Sequence, residues 1–293
     1  MDWIDQVFST AQQALFEGLL QPAMFALGLG NLLEDGYRAT GWLLVGLLQL
    51  AVMLVVIAPL QRWRPVEPMR DRAAVRTDIV YTLIHRLGLF RVALFFTAEP
   101  VFTELFGWLR GHGIGTFHLD QLWPGVTDIA WVSFVLYLIV FDLADYWIHR
   151  GQHGIGWWWK LHALHHSQRQ MTLWSDNRNH LLDDLIRDSL LVLLAQAVGV
   201  GPAQFVALVA LSQLSESLQH ANLRLWFGRW GERLWVSPRY HRLHHAMGIG
   251  HETRGRGSLG GHNFAVLLPL WDILFRTANF EQRYDPTGVR DQV

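Results

Sequence analysis

Histidines in three short stretches of the chain are spaced so that an α-helix would place their rings on one side. "HRGQH" carries His149 and His153 four residues apart, while "HALHH" (162–166) and "HRLHH" (241–245) each have histidines at positions i, i+3 and i+4. Residues three and four apart share a helix face, and neutral imidazole is a common ligand for iron, zinc, copper and nickel. The eight residues are His149, His153, His162, His165, His166, His241, His244 and His245. They are enough for two metal ions with about four ligands each.

The composition indicates a membrane protein. Of the 293 residues, 51% are hydrophobic and 17% are charged, and soluble domains are charged at about 25% of positions. The net charge of −1 excludes a global basic field for binding nucleic acid. The chain has no cysteine, which excludes thiolate metal sites and thiol nucleophiles.

Two stretches have the length and apolarity of membrane spans. Residues 41–60 carry no charge, and a spanning helix needs about 20 residues. Five arginines follow within 62–76, which by the positive-inside rule makes that loop cytoplasmic. Residues 129–149 then return towards the cytoplasm, so His149 lies at the membrane face. The predicted fold is all-α: an integral membrane helical bundle of about four to five segments with a cytoplasmic histidine-rich metal-binding cap.

Residues 190–214 present a choice of topology. Two apolar halves meet at the stretch from Gly199 to Pro202, and each is short for a membrane span. A single kinked span would put His241–His245 on the opposite side from His149–His166. A helical hairpin keeps all these histidines on one side, and the metal hypothesis requires the hairpin.

The motifs, in order, resemble those of the fatty acid hydroxylase / sterol desaturase superfamily. They are "HRGQH" (149–153), "HALHH" (162–166), "HANL" (220–223), "SPRYHRLHH" (237–245) and "NFAVLLPLWDILFRT" (263–277). Members of this superfamily are integral-membrane oxygenases with a histidine-rich di-metal site, usually di-iron, that oxidise lipid C–H bonds. The resemblance implies that His220 is a ninth ligand. The resemblance covers about 126–277. The predicted division is therefore N-terminal membrane helices and loops (1–125), a fatty acid hydroxylase-like catalytic domain (126–280) and a C-terminal tail (281–293).

The resemblance implies O₂-dependent hydroxylation or desaturation of a membrane lipid. Cleaving an unactivated C–H bond needs an oxidant that a metal centre supplies and side chains do not. The implied cofactors are two iron ions, with zinc possible in preparations, together with O₂ and an external reductant. Because the chain has no flavin or nicotinamide fingerprint and no Cys₄ set, a cytochrome b5-like protein, a ferredoxin or a flavoprotein reductase must donate electrons.

Five further residues are candidates to ligate a metal or to accept the ring N–H bond that orients a ligand. Asp145 and Glu216 each lie one helical turn before a motif histidine, and Asp272 belongs to the "LWDILF" motif. His180 and His262 could take either role. Four more aspartates could orient a ring, although a solvated or capping role is favoured for each: Asp142, Asp176, Asp183 and Asp184.

Two other functions use the same histidines. A zinc-dependent membrane lipid hydrolase would need no O₂, but Glu216 is its only candidate general base. A non-catalytic metal-binding membrane protein, such as a carrier, would favour ionisable residues at mid-bilayer rather than at the membrane face. The substrate stays open among acyl chains, sterols or hopanoids, carotenoids and lipid headgroups.

Overall fold

The computed structural model describes residues 2–247 and 261–289, so residues 290–293 of the predicted tail lie outside it. Over the described ranges the chain is helical, with one isolated antiparallel bridge between Ala246 and Thr287 and no strand. The all-α prediction is therefore confirmed. The α-helices are α1 (Asp2–Leu15), α2 (Gln21–Ala26), α3 (Leu33–Val52), α4 (Ala58–Trp63), α5 (Arg72–Arg86), α6 (Leu89–Thr97), α7 (Glu99–Gly111), α8 (Ala130–Gly154), α9 (Gly156–His166), α10 (Leu181–Val198), α11 (Pro202–Gln219), α12 (Gly228–Leu234), α13 (Pro238–His244) and α14 (Leu270–Leu274).

Two helical segments in the described ranges are long and apolar enough to cross a membrane. One is Gly30–Trp63, with a mean hydropathy of 2.7, and the other is α8, with 1.6. Only 28% of the most apolar window of the first segment is buried inside the protein, and Leu48 and Val55 are exposed. A core helix of a soluble protein would bury such residues, because large exposed apolar surfaces mark contact with lipid or with a partner. The first segment contains the predicted span 41–60, and α8 contains the predicted span 129–149 except its first residue.

Helices α10 and α11 form a hairpin. Gly199 ends α10 in the left-handed region (φ 71°), and a Cβ there would lie 2.5 Å from Nδ1 of His118, so the turn requires glycine. Pro202 then opens α11 as its first residue. Arg187, in the first half of α10, lies 3.5 Å from Glu216 near the end of α11. The chain therefore doubles back, as the metal hypothesis requires.

The hairpin and the first long segment enclose a buried polar contact. A Cβ on Gly46 of α3 would lie 1.6 Å from the carbonyl oxygen of Arg86, so α3 and α5 approach backbone to backbone. The Arg86 guanidinium is buried and lies 3.2 Å from the carboxylate of Asp176. It also donates to the side chains of Gln213 (2.6 Å) and Ser217 (2.9 Å) on α11. These bonds tie α5 to α11 beside the turn that contains Asp176.

Helix α13 carries its own start signal. The Ser237 hydroxyl accepts a hydrogen bond from the backbone N–H of Tyr240 at 3.2 Å, and Pro238 is the first helical residue. Tyr240 in turn donates its hydroxyl to Asp272 at 3.0 Å. The short helix is therefore held at both its start and its inner face, and it presents His241 and His244 to the rest of the protein.

Candidate metal centre

Nine buried histidines gather into two groups at one end of the helices. The five-histidine group contains His149, His153, His162, His166 and His244, and the four-histidine group contains His165, His220, His241 and His245. In each group the possible ligand nitrogens lie within 4.8 Å of one another. These are the nine residues that the motifs single out as metal ligands.

The two His-x-x-His-His motifs each contribute to both groups. In the first motif, His162 and His166 belong to the five-histidine group, while His165 belongs to the four-histidine group. The second motif reverses the assignment, so that only its middle histidine, His244, joins the five-histidine group. Side chains four residues apart lie on one helix face, whereas adjacent residues diverge by about 100°. Each motif therefore reaches both groups, and the groups share two helices.

Backbone carbonyls orient three of the rings. The Nδ1 atoms each lie 2.8 Å from a carbonyl oxygen: His149 at Phe264, His220 at Glu216 and His244 at His262. Because a carbonyl oxygen can only accept, Nδ1 carries the proton and Nε2 keeps its lone pair. Metal-bound histidines are held in the same way, with the other ring nitrogen donating to the protein.

Asp183 orients a fourth ring. Its Oδ2 accepts from Nδ1 of His162 at 2.9 Å, while its Oδ1 accepts from Gln152 (2.8 Å) and Trp158 (2.7 Å). Nε2 of His162 is buried, and in the described ranges no hydrogen-bond donor faces it. A buried lone pair without a partner is costly, and a metal cation would supply the partner.

The nitrogens of the four-histidine group face one another. Nε2 of His220 lies 3.1 Å from Nε2 of His165 and 3.1 Å from Nε2 of His241. Nitrogens bound tetrahedrally at about 2.1 Å from one ion lie about 3.4 Å apart, which is close to this spacing. Burial lowers the pKa of His165 and His241 well below the ordinary value and that of His220 to about 4. The rings are therefore neutral, as ligation requires, and the set fits a metal ion.

The acceptor for His149 differs from the sequence prediction. Asp145, one turn before His149, forms an ion pair with Arg187 at 2.9 Å instead of contacting the ring. The Phe264 carbonyl takes that place, because the segment that starts at Asn263 packs across the end of α8. Sequence spacing favoured Asp145 over Asp183 as a residue that orients a ligand. In the structure Asp183 does so, for the ring of His162, and Asp145 does not. Asp183 lies in the first turn of α10. Acidic residues are common at helix starts, so its position in the sequence does not identify it as the partner of a metal ligand.

Glu216 and His262 contact the centre through their backbones. The Glu216 carbonyl holds His220, while its carboxylate contacts Ser212 at 2.7 Å and Arg187 at 3.5 Å. The His262 carbonyl holds His244, and burial lowers the pKa of the His262 ring to about 4. Neither side chain belongs to a histidine group in the described residues.

His180 lies outside both groups. It is exposed, and its Nδ1 accepts from the backbone N–H of Leu182 at 3.2 Å, which caps the start of α10. The structure therefore corrects the prediction that His180 is a ligand or orients one. A histidine just before a helix has the same pattern in sequence whether it caps the helix or binds a metal.

Asp272 acts on the centre through the backbone that it holds. It is fully buried, and its two oxygens accept from the backbone N–H groups of Phe264 and Ala265, each at 2.9 Å. Asp142 on α8 holds the next part of the segment by accepting from the N–H groups of Leu267 and Leu268. Together they fix the position of the Phe264 carbonyl that orients His149.

The fold and the site define a class of protein: a helical protein with candidate membrane spans and a histidine-rich centre. Comparison with known proteins supports this class. Residues 134–277 match the family model described as fatty acid hydroxylase. Over these residues the chain belongs to the fatty acid hydroxylase family, and the relatives that it resembles are lipid hydroxylases, monooxygenases and sterol desaturases. No solved structure matches the chain.

Three relatives illustrate the family. Ornithine lipid hydroxylase OlsE of Rhizobium tropici is 25% identical over 283 residues, 96% of this chain and 81% of the relative. Alkylglycerol monooxygenase of Caenorhabditis elegans is 25% identical over 60% of this chain and 34% of its own. Delta(7)-sterol 5(6)-desaturase ERG3B of Gibberella zeae is 28% identical over 47% and 42%. The chain thus spans less than half the length of the last two.

Proposed function

We propose that the protein is an O₂-dependent membrane lipid hydroxylase or desaturase whose two histidine groups hold two iron ions. The observation that carries the proposal is the orientation of the rings: four donate Nδ1–H to fixed protein acceptors, so that the lone pair needed for metal binding is on Nε2. When bound, the iron would supply the oxidation of an unactivated C–H bond, chemistry that side chains do not provide. Zinc could replace iron in purified preparations.

The chain's own residues hold, orient and shield the ligands. Burial keeps rings such as His165 and His241 neutral and limits the access of water to them. Asp183 and the carbonyl of Phe264 set the directions of His162 and His149. A ligand set held by packing and hydrogen bonds is already in position before substrate arrives, which reduces the cost of reorganisation.

The position of Glu216 weighs against a zinc-dependent hydrolase. That function needs a general base beside the metal-bound water, and Glu216 is the residue that the sequence offers. Its carboxylate contacts Arg187 and Ser212 and lies outside both histidine groups of the described residues. The oxygenase therefore accounts better for the nine histidines.

We propose a multi-pass membrane arrangement with the histidines on the cytoplasmic side. The arginine-rich loop 62–76 packs on the histidine end: the N–H of Arg224 donates to the Arg64 carbonyl at 2.8 Å, and Arg242 pairs with Glu67 at 2.8 Å. By the positive-inside rule that loop is cytoplasmic. The hairpin of α10 and α11 would then add two membrane segments whose turn faces the other side.

The proposed substrate is a membrane lipid, and the electrons come from a separate protein. The relative that aligns with 96% of this chain is an ornithine lipid hydroxylase, so a polar lipid with a small headgroup is the first substrate to test. The chain has no cysteine for an iron–sulfur cluster. A cytochrome b5-like protein, a ferredoxin or a flavoprotein reductase would therefore dock on the cytoplasmic side.

Metal analysis and lipid profiling test the proposal together. The purified protein should contain iron at about two ions per chain. Cells expressing it should accumulate a lipid that is heavier by one oxygen or lighter by two hydrogens, and ¹⁸O₂ should label a hydroxylated product. Zinc alone, together with lipid cleavage that continues without O₂, would contradict the oxygenase and favour the hydrolase.

A further inference from the structure

A cavity of about 100 Å³ lies between α8, α10 and α11, next to the histidine centre. One part of its lining is apolar and includes Leu138, Leu191, Phe205 and Leu208. Another part is charged and includes Arg91, Asp145, Arg187, Asp188 and Glu216. Pockets for whole drug-sized ligands measure about 300–1,000 Å³, so this volume suits a small headgroup rather than an entire lipid.

The charged end of the cavity lies nearest the histidines. Asp145 precedes His149 by one turn of α8, and Glu216 precedes His220 by one turn of α11. The apolar residue Leu138 lies about 16 Å along the axis of α8 from His149, at 1.5 Å per residue. An amphiphile bound there would have its polar part near the ligand rings and its apolar part directed away from them.

The charged end of the cavity has more acidic than basic side chains, and both basic side chains already have partners. Arg187 bonds to Asp145 at 2.9 Å and to Glu216 at 3.5 Å. The Arg91 guanidinium stacks on Trp42 at 3.6 Å. Asp142 and Asp188 are two further acidic residues on the wall, so four face two cations. Asp142 is held by the backbone N–H groups of Leu267 and Leu268, whereas Asp188 faces the cavity beside the arginines. Uncompensated negative charge away from water is costly, and an ammonium group from a ligand would relieve it.

The charged side chains are open to a ligand in the cavity. The Arg187 side chain is 27% accessible and the Glu216 side chain is 16% accessible, although both form ion pairs. Because both residues line the cavity, this remaining surface is available to a bound group. The weak contact of 3.5 Å between them could be exchanged for a contact with a headgroup.

We propose that this cavity binds the amine-bearing headgroup of a polar membrane lipid, so that the oxidised carbon lies in or beside the headgroup. The inference rests on the proposed function and names its substrate class. A hydroxylation there would replace C–H by C–OH. One atom of O₂ enters the product and the other leaves as water, with two electrons from the external donor protein and two protons from the solvent.

The test compares two lipids that differ in the amine. The iron-loaded protein in detergent is titrated with phosphatidylethanolamine and with phosphatidylglycerol of the same acyl chains, and binding is followed by native mass spectrometry. The wild type should prefer phosphatidylethanolamine by about tenfold, which corresponds to one charge-assisted contact. Glu216→Gln and Asp188→Asn should lose that preference. Asp184→Asn, a carboxylate change on α10 outside the cavity lining, should keep it.

Equal binding of the two lipids by the wild type, or an unchanged preference in both cavity variants, would overturn the proposal. If Glu216→Gln does not fold, Asp188→Asn alone tests the proposal. That substitution leaves the bonds of Arg187 to Asp145 and Glu216 in place. Tandem mass spectrometry of the oxidised lipid should locate the new oxygen in the headgroup fragment, and oxygen in the acyl chain would contradict the proposal. If the amine preference holds but no O₂-dependent oxidation occurs, the proposed function fails instead.

Discussion

Nδ1 of His162 lies 2.9 Å from the carboxylate of Asp183, a residue 21 positions further along the chain. The same carboxylate accepts hydrogen bonds from Gln152 and Trp158. One side chain therefore fixes the direction of a proposed ligand and joins α8, α9 and α10 behind the five-histidine group.

Replacing Asp183 by asparagine should weaken metal binding without unfolding the protein. The amide cannot accept all three donors with the strength of a carboxylate, so His162 should lose its fixed orientation. Loss of such an orienting partner costs about 10–100-fold in metal affinity, measurable by competition with a chelator. Asp184→Asn is the matched control, because Asp184 lies on the same helix but faces His85 at 3.3 Å instead of a ring of the histidine groups. Equal metal affinities for the two variants would contradict the orienting role.

Alanine at His220 and at His180 should have opposite effects on metal content. His220→Ala removes a member of the four-histidine group, so bound metal should fall by about half, as measured by elemental analysis. His180→Ala removes only a cap, at a cost of about 1 kcal/mol in the free energy of unfolding, and should retain the metal. Full metal content in His220→Ala would rule out the assignment of that group as a metal site.

The hairpin turn should be intolerant of a side chain at one glycine and tolerant at its neighbour. Gly199→Ala combines a left-handed backbone with a clash against His118, so it should lower the free energy of unfolding by about 1–2 kcal/mol. Gly201→Ala should be nearly neutral, since φ is −65° and a Cβ there meets nothing within 4 Å. Thermal unfolding in detergent compares them. Similar melting temperatures would show that the turn does not constrain the fold as described.

Cysteine labelling should place the hairpin turn and the arginine-rich loop on opposite membrane faces. The chain has no cysteine, so Gly201→Cys and Arg70→Cys each create a single site, and both positions are exposed. A membrane-impermeant maleimide should label Gly201→Cys in intact cells and Arg70→Cys only after permeabilisation. Labelling of both in intact cells would contradict the proposed arrangement.

Local sequence was enough to single out the histidines, because helical spacing is a local property. The positions of His162, His165 and His166 on one helix follow from the 3.6-residue repeat. Local sequence was not enough to identify the residues that orient them. Helical spacing favoured Asp145 as the partner of His149, yet the partner is the carbonyl of Phe264, 115 positions away.

Residue types cannot identify a backbone acceptor, since every residue has a carbonyl. Glu216 shows the consequence most clearly: its position one turn before His220 was significant, but its carbonyl rather than its carboxylate makes the contact. His180 is the opposite case: its side chain made it a candidate ligand in the sequence, but in the structure that side chain caps the start of α10. In each case the outcome depended on how separate segments pack.

The sequence by itself determined the chemical content of this protein: helical segments, some of them apolar and of membrane length, eight histidines at helical spacing with His220 in a further motif, and no cysteine. The tertiary structure alone decided how those histidines divide into two groups, which acceptor holds each ring, and where charge meets apolar surface in the cavity. The physical reason is that residue types and periodicity act over one or two helical turns. A coordination site, in contrast, is formed by helices that pack together from distant parts of the chain.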